Sequence, residues 1–347
     1  MARALCMQTL MEHHVDLSTE YLGLKLPHPF VVGASPLADD VDLARRVEDG
    51  GAAAIVMRSL FAEQIALENY AAYLEGSAGG PVSLAESAGV ILSPKAFTLT
   101  PDEYLAQLAA LKKALAIPVI ASLNGSRPGP WLEYAPLLEA VGADALELNL
   151  QPGGAEVDRS SLAIEAELVE TVRIVRASVR IPVAVKLPAC FSGLAVFAEA
   201  LQQAGASALV LFHRAQPSDI DPDSLTATPP LQLSRNTELP LRLRWLAILS
   251  CRLRIPLAAT GGVHDEKGAI KALMAGARVV QMVSAVLARG PHHLRDVREA
   301  LEKWMERHEY ASLAELRGSM DLEACPDAAA YERATAILAL QRYPVTG

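Results

Sequence analysis

Eight short apolar stretches, introduced alternately by proline and by glycine, constrain this chain more than any other feature of its 347 residues. The proline-led stretches are Pro29 to Ala34, Pro118 to Leu123, Pro182 to Leu187 and Pro256 to Thr260. The glycine-led ones are Gly51 to Met57, Gly142 to Asn149, Gly205 to Leu211 and Gly276 to Met282. Proline suits the first position of a strand, where its missing N–H need not enter the ladder. Each glycine stands where a preceding helix should stop in the left-handed conformation that glycine adopts without a Cβ penalty. The two kinds strictly interleave, and the segments between them, such as Val41 to Asp49, Leu162 to Val179 and Glu266 to Met274, have helical spacing. Continuous apolar strands joined by helices form a parallel sheet covered on both faces. Eight such units predict an α/β chain folded as a closed (β/α)8 TIM barrel. The alternative, an open doubly wound sheet, would carry a GxGxxG fingerprint after its first strand, and this chain has none.

The expected barrel spans residues 15–320, after an N-terminal extension over 1–14. A C-terminal helical tail, 321–347, is expected to pack on the barrel or at a partner subunit. Extra helices are expected at Pro291 to His308, Ser312 to Arg317 and Asp327 to Gln341. Two intervals, Tyr70 to Pro101 and His213 to Glu238, are too long for simple βα connections. Long excursions on a barrel cover the active site, so both are expected to be lids.

With 51% hydrophobic and 20% charged residues, the chain can bury a large aliphatic core and has no disordered character. Its net charge of -9 argues against nucleic acid or an anionic membrane surface as partner. No apolar run reaches the roughly 20 residues of a membrane span, and Met1 to His14 lacks the order of a signal peptide. Cys6, Cys190, Cys251 and Cys325 lie far apart with no CxxC spacing, so neither zinc nor an iron–sulfur cluster is expected, and a reducing cytoplasm fits. Apolar neighbours make Cys190 an expected buried, unreactive thiol.

Reactive groups of a barrel enzyme sit at the C-terminal ends of its strands. Here those ends carry Ser35, Arg58 with Ser59, Asn124, Asn149, Lys186, His213, Thr260-Gly261-Gly262 and Ser284. Glycines after the seventh stretch and a serine after the eighth present backbone N–H groups to a dianion, so Gly261, Gly262 and Ser284 form a candidate phosphate cradle; a plain tight turn is the alternative. Lys186 ends an apolar strand and needs either an electron-rich ligand at the mouth or a structural carboxylate partner such as Glu147. Asn124 and Asn149 could read the edge of a planar heterocycle or cap the following turns.

These residues resemble the dihydroorotate dehydrogenase family, FMN-dependent barrels that oxidise dihydroorotate to orotate, and within it the dihydroorotate dehydrogenase-like proteins. The resemblance runs from Leu22 to Arg317, with a further likeness over Pro326 to Tyr343. Pro29 to Ser35, Glu147-Leu148-Asn149-Leu150, Val185-Lys186-Leu187-Pro188, Thr260-Gly261-Gly262 and Gly276 to Ser284 carry it. It implies that Ala34, Ser35, Ser59, Asn124, Asn149 and Lys186 contact the ring or ribityl of FMN, and that Gly261, Gly262 and Ser284 hold its phosphate. The departures lie on the substrate side. Where the family has Asn-Leu-Ser-Cys-Pro-Asn, or serine for the cysteine, this chain has Asn149-Leu150-Gln151-Pro152-Gly153-Gly154, and neither Gln151 nor Pro152 can act as a base. The family's flavin-contacting lysine is replaced by Arg58, its asparagine after the sixth strand by His213-Arg214, and its substrate loop has no counterpart between Ser87 and Thr100.

The expected activity is a flavin oxidoreductase acting on the CH–CH bond of a small dihydropyrimidine-like molecule, as in pyrimidine biosynthesis. Lys186 and Arg58 would stabilise charge on the reduced ring, and His213 would serve as substitute base or hydrogen-bonding group. The electron acceptor stays open among quinone, fumarate, ferredoxin and a partner redox protein, and the tail and lids are candidates for a homodimer interface. Two other readings remain: a flavin-bearing electron-transfer or regulatory protein without turnover, and a flavin-free phosphate-binding lyase or isomerase.

Overall fold

The computed structural model describes residues 15–66, 98–125, 127–152, 158–213, 219–223, 226–228, 232–323 and 325–342. Eight parallel strand positions close on themselves: β3 (Phe30–Val32), β4 (Ile55–Val56) with its short continuation β5 (Leu60–Phe61), β6 (Val119–Gly125), β7 (Ala145–Leu150), β8 (Val183–Leu187), β9 (Ala208–Leu211), β12 (Leu257–Thr260) and β13 (Val279–Met282). β4 pairs with both β3 and β6, and β13 returns to β3, so the sheet has no free edge. The chain is therefore a (β/α)8 barrel, with every expected strand in place.

The alternating devices work as the residues imply. Gly51, Gly142, Gly205 and Gly276 all have φ between 93° and 108°, and at Gly142 this left-handed turn ends the helix Tyr134–Val141. At three of the proline-led junctions a side chain from an earlier helix accepts two successive backbone N–H groups. Glu48 Oε1 takes Ala116 and Ile117 at 2.7 and 3.0 Å, Glu139 Oε1 takes Arg180 and Ile181 at 2.9 and 3.0 Å, and Gln202 Oε1 takes Arg254 and Ile255 at 2.7 and 3.3 Å. The donors are N–H groups just outside the ladder, which would otherwise lack partners. The helices Val41–Asp49, Ser161–Ser178 and Glu266–Met274 follow the expected ranges closely, as do His293–Arg307, Leu313–Leu316 and Ala328–Gln341 beyond the barrel.

A feature without warning in the sequence is the antiparallel hairpin β1 (Thr19–Tyr21) and β2 (Leu24–Leu26), turned at Leu22-Gly23 with φ of 54° and 70°. Tyr21, Leu22 and Leu26 pack into the inner core against Val31, Ala53, Ala54, Ile120, Ala145, Ala184, Ala208 and Ala258. Small residues at the base of the barrel leave room for this plug, and the inward positions turn polar toward the mouth. A second hairpin, β10 (Asp219–Asp221) with β11 (Thr226–Thr228), lies in the interval between His213 and Glu238.

The expected extension over 1–14, most of the lid from Tyr70 to Pro101, parts of the second lid and residues 343–347 lie outside the described residues. The helix Ala328–Gln341 keeps most of its described side chains exposed, and Arg244 ties it to the helix Leu239–Ser250 through Glu332 at 2.6 Å. No helix among the described residues is long and apolar enough to cross a membrane.

Candidate active site

Register alone assembles the centre of the site. In the parallel ladder Asn124 on β6 pairs with Asn149 on β7, and Asn149 with Lys186 on β8, so three polar side chains stand in one row at the upper end of the barrel. One turn of the pleat below Asn149 is Glu147, 1% exposed. Its Oε1 lies 3.1 Å from Lys186 Nζ, and its Oε2 accepts from Gln281 Nε2 at 2.6 Å. The two alternatives for Lys186 thus coincide: the ammonium has a buried carboxylate partner and also lines the cleft above it. The buried hydroxyl of Tyr21, on the plug, has a pKa raised well above the ordinary value by burial and secondarily by the Glu147 charge.

Around that row the cleft is completed by Ala34, Ser35, Arg58, Ser59, His213, Gly261 and Ser284, and it encloses about 460 Å³, within the ~300–1,000 Å³ of small-molecule sites. Ser59 Oγ is 2.7 Å from Ser122 Oγ, and Ser122 is fixed in turn by Tyr104, whose hydroxyl donates to its carbonyl at 3.1 Å and accepts its N–H at 3.0 Å. Arg58 is held by Asp39, with Nε 3.2 Å from both carboxylate oxygens and Nη2 2.5 Å from Oδ2. Asn124 Nδ2 donates to Gln151 Oε1 at 3.4 Å. His213 closes β9, half-buried, with its backbone N–H bonded to Leu187 O at 2.9 Å.

The expected cradle residues also meet. Gly261 and Gly262 adopt φ of 80° and 81°, a turn reserved for glycine, and a Cβ on Gly262 would stand 2.6 Å from the backbone nitrogen of Leu239. Ser234 joins the two arms: its N–H donates to Ser284 Oγ at 2.9 Å, and its hydroxyl accepts from Gly262 N–H at 3.2 Å and lies 3.3 Å from His264 Nε2. Burial, aided by the Arg289 charge, lowers the pKa of His264. Behind the turn Arg242 is buried, donating from Nε to Thr260 O at 2.9 Å, and a Cβ on Gly261 would meet its Nη2 at 2.9 Å.

Sequence reasoning missed Ser234, His264, Arg242 and Gln281. Three of them come from or contact the segment after β9, whose spacing follows no strand or helix period, and Gln281 reads as one residue of an apolar strand. Cys190 is a correction. It is exposed on a separate hollow beside Pro152 and Phe191, because its loop turns outward after β8; burial of part of the thiol still raises its pKa. Among the described residues no group of three or more His, Cys, Asp or Glu side chains could hold a metal ion.

The residues test well against a flavin phosphate and ring. Buried Asn149 Oδ1 and Gln281 Oε1 lack hydrogen-bond partners among the described residues, and both side chains border the cleft, as acceptors suited to the N–H edge of a heterocycle. The glycine turn leaves no room for a Cβ and keeps backbone N–H groups near the opposite end.

A (β/α)8 barrel with a cleft at the C-terminal ends of its strands has the layout in which barrel enzymes place their active sites. Comparison with known proteins narrows the class: the family model described as dihydroorotate dehydrogenase matches residues 98–305. A putative dihydroorotate dehydrogenase A (fumarate) of Aeropyrum pernix is 30% identical over 315 residues, covering 87% of this chain and 97% of the relative. The catalytic subunit of dihydroorotate dehydrogenase B (NAD(+)) of Methanosarcina acetivorans is 28% identical over 301 residues, covering 85% and 93%, and that of Methanothermobacter thermautotrophicus is 26% identical over 309 residues, covering 87% and 97%. The chain belongs to the dihydroorotate dehydrogenase family, and it is an oxidoreductase of that type.

Proposed function

We propose that this chain is an FMN-dependent oxidoreductase that oxidises the CH–CH bond of a small dihydropyrimidine-like molecule. One observation carries the reading: a ring-reading row of Asn124, Asn149 and Lys186 shares a single cleft with the Gly261 and Ser284 arms of a phosphate cradle. Ala34, Ser35, Ser59, Asn124, Asn149 and Lys186 would hold the ring and ribityl, while Gly261, Gly262 and Ser284 would hold the phosphate. FMN supplies, when bound, a two-electron acceptor for hydride.

The protein's own residues supply position and charge. Lys186 and Arg58 enter the cleft as ion pairs with Glu147 and Asp39, so each is oriented before any ligand arrives. Oxidation of a CH–CH bond also releases a proton. Pro152 stands where the family's cysteine or serine base would and has no group to take that proton, and the neighbouring Gln151 is a carboxamide engaged by Asn124, so it cannot take it either. His213 is the group we assign to it, as an imidazole at a strand end that borders the cleft. A partner redox protein or small oxidant would then accept the electrons. The family includes relatives named for fumarate and for NAD(+).

Anaerobic mixing of the FMN-loaded chain with dihydroorotate and related dihydropyrimidines tests the reading. Bleaching of flavin absorbance by one of them is expected, with a pH dependence that flattens in His213→Asn. Failure of all of them to bleach a flavin that dithionite does reduce would favour the non-catalytic electron-transfer reading, which the missing base motivates.

A further inference from the structure

The base of the barrel, opposite the cleft, carries a second candidate ligand site. A hollow of about 600 Å³ there is lined by Arg176, Arg180, Arg254 and Arg278, with Leu22 and Pro256 as apolar lining and Glu20 as the only acidic residue among the described lining residues. The arginines do not fall there by scatter. Arg180-Ile181-Pro182 and Arg254-Ile255-Pro256 are the same triplet at two equivalent junctions, leading into β8 and β12. In each, the backbone N–H groups of the arginine and isoleucine are clamped by one side-chain oxygen, from Glu139 or Gln202. Arg278 leads into β13, which adjoins β12, and β9 alone separates β12 from β8, so three cations stand along one arc of the rim on rigid platforms.

The helices of the barrel end at this face, and their carbonyls attract cations. That accounts for Arg176, whose Nη1 donates to Val179 O at 2.8 Å. It does not account for Arg180, Arg254 and Arg278: no hydrogen bond or ion pair joins their guanidinium groups to another described residue. Elsewhere Arg58, Arg159, Arg173, Arg244 and Arg252 each face a carboxylate within 4 Å. Arg317, in the adjoining hollow that shares Arg254 and Arg278 and also holds Asp321, adds to the crowd. Burial lowers the pKa of Arg278, against the attraction of Glu20, and of Arg317, where the Arg278 charge adds to the effect, a repulsion that a bound anion would relieve.

We propose that this hollow binds a small organic di- or triphosphate, at a site separate from the flavin cleft and independent of its assignment. Planar guanidinium forks match phosphate oxygens two at a time, and several converging forks need a ligand with several charges. The concave shape and its volume suit a small molecule rather than a flat protein face.

Calorimetric titration of the full chain with tripolyphosphate, with and without saturating FMN, tests the site. The probe variant is Arg180→Gln/Arg254→Gln, whose side chains are exposed, with circular dichroism as the check on folding. Saturable binding near one per chain, indifferent to FMN and weakened at least tenfold by the double substitution, is expected, and it should fade with added salt. Absence of saturable binding overturns the proposal, as does binding that survives the double substitution or that FMN abolishes. Tighter binding of an oligoglutamate than of tripolyphosphate would also overturn it, in favour of an acidic protein partner.

Discussion

Lys186 and Glu147 show how a single pair can serve packing and chemistry at once. The ammonium is 9% exposed and the carboxylate 1%, so neither charge could remain without the other. Replacing Lys186 by Met would strand the carboxylate, and a loss of roughly 3–5 kcal/mol in urea unfolding is expected at pH 7. Lys186→Met/Glu147→Gln should recover most of it; a single substitution that costs under about 1 kcal/mol would mean that the pair contributes little. The pair was half legible in the sequence. Lys186 at the end of an apolar strand demanded a partner and Glu147 was the nearest candidate, but Gln281, which completes the network from a distant strand, and Tyr21, whose hydroxyl feels the Glu147 charge, carried no local signal.

His28 is a second residue whose environment sets a measurable property. Burial first, and the Arg298 charge second, lower its pKa from 6.5 to about 4, and its Nδ1 accepts the Phe30 N–H at 3.3 Å, which requires that nitrogen to be unprotonated. The unfolded chain takes up this proton near pH 6.5 and the native chain resists it until about pH 4. The contribution is therefore complete above pH 6.5 and is lost as pH falls toward 4, by up to about 3 kcal/mol. Thermal unfolding from pH 7 to 4.5 should show a shallower acid loss for His28→Asn than for the wild type. Equal slopes would place the acid sensitivity elsewhere.

At the scale of elements, the strand starts were readable because two physical devices announced them. Proline tolerates the first ladder position, and glycine the left-handed helix stop. The same devices place Asn124, Asn149 and Lys186, since a parallel register and a known strand end fix which residues stand side by side. The plug hairpin escaped notice because its strands have three residues each and its turn puts a leucine, not a glycine, in the first left-handed position. The turn after β12 requires glycine at both positions, with φ of 80° and 81°. Gly262→Ala must move the Leu239 backbone, which a Cβ would approach to 2.6 Å, and also adopt φ of 81°. The expected outcome is a chain that keeps its barrel by circular dichroism, melts at lower temperature and loses flavin affinity more than tenfold. Unchanged affinity would remove this turn from the cofactor site.

For the whole molecule, net charge is an average. A value of -9 argued against nucleic acid or an anionic membrane surface as partner, and it is compatible with a local cluster: several arginines gather at the base of the barrel, where sequence-distant junctions converge. The repeated Arg-Ile-Pro triplet was visible in the sequence, but only closure of the barrel sets the two copies on one rim. The same convergence builds the cleft at the other end, from strand ends as far apart in sequence as Ser35 and Ser284.

The central claim, that this cleft holds FMN, is tested most directly by the visible spectrum of the chain after incubation with FMN and removal of free ligand. The account predicts about one flavin retained per chain, with an absorption band shifted from that of free FMN and lost in Gly262→Ala. A colourless protein that takes up no FMN would contradict it.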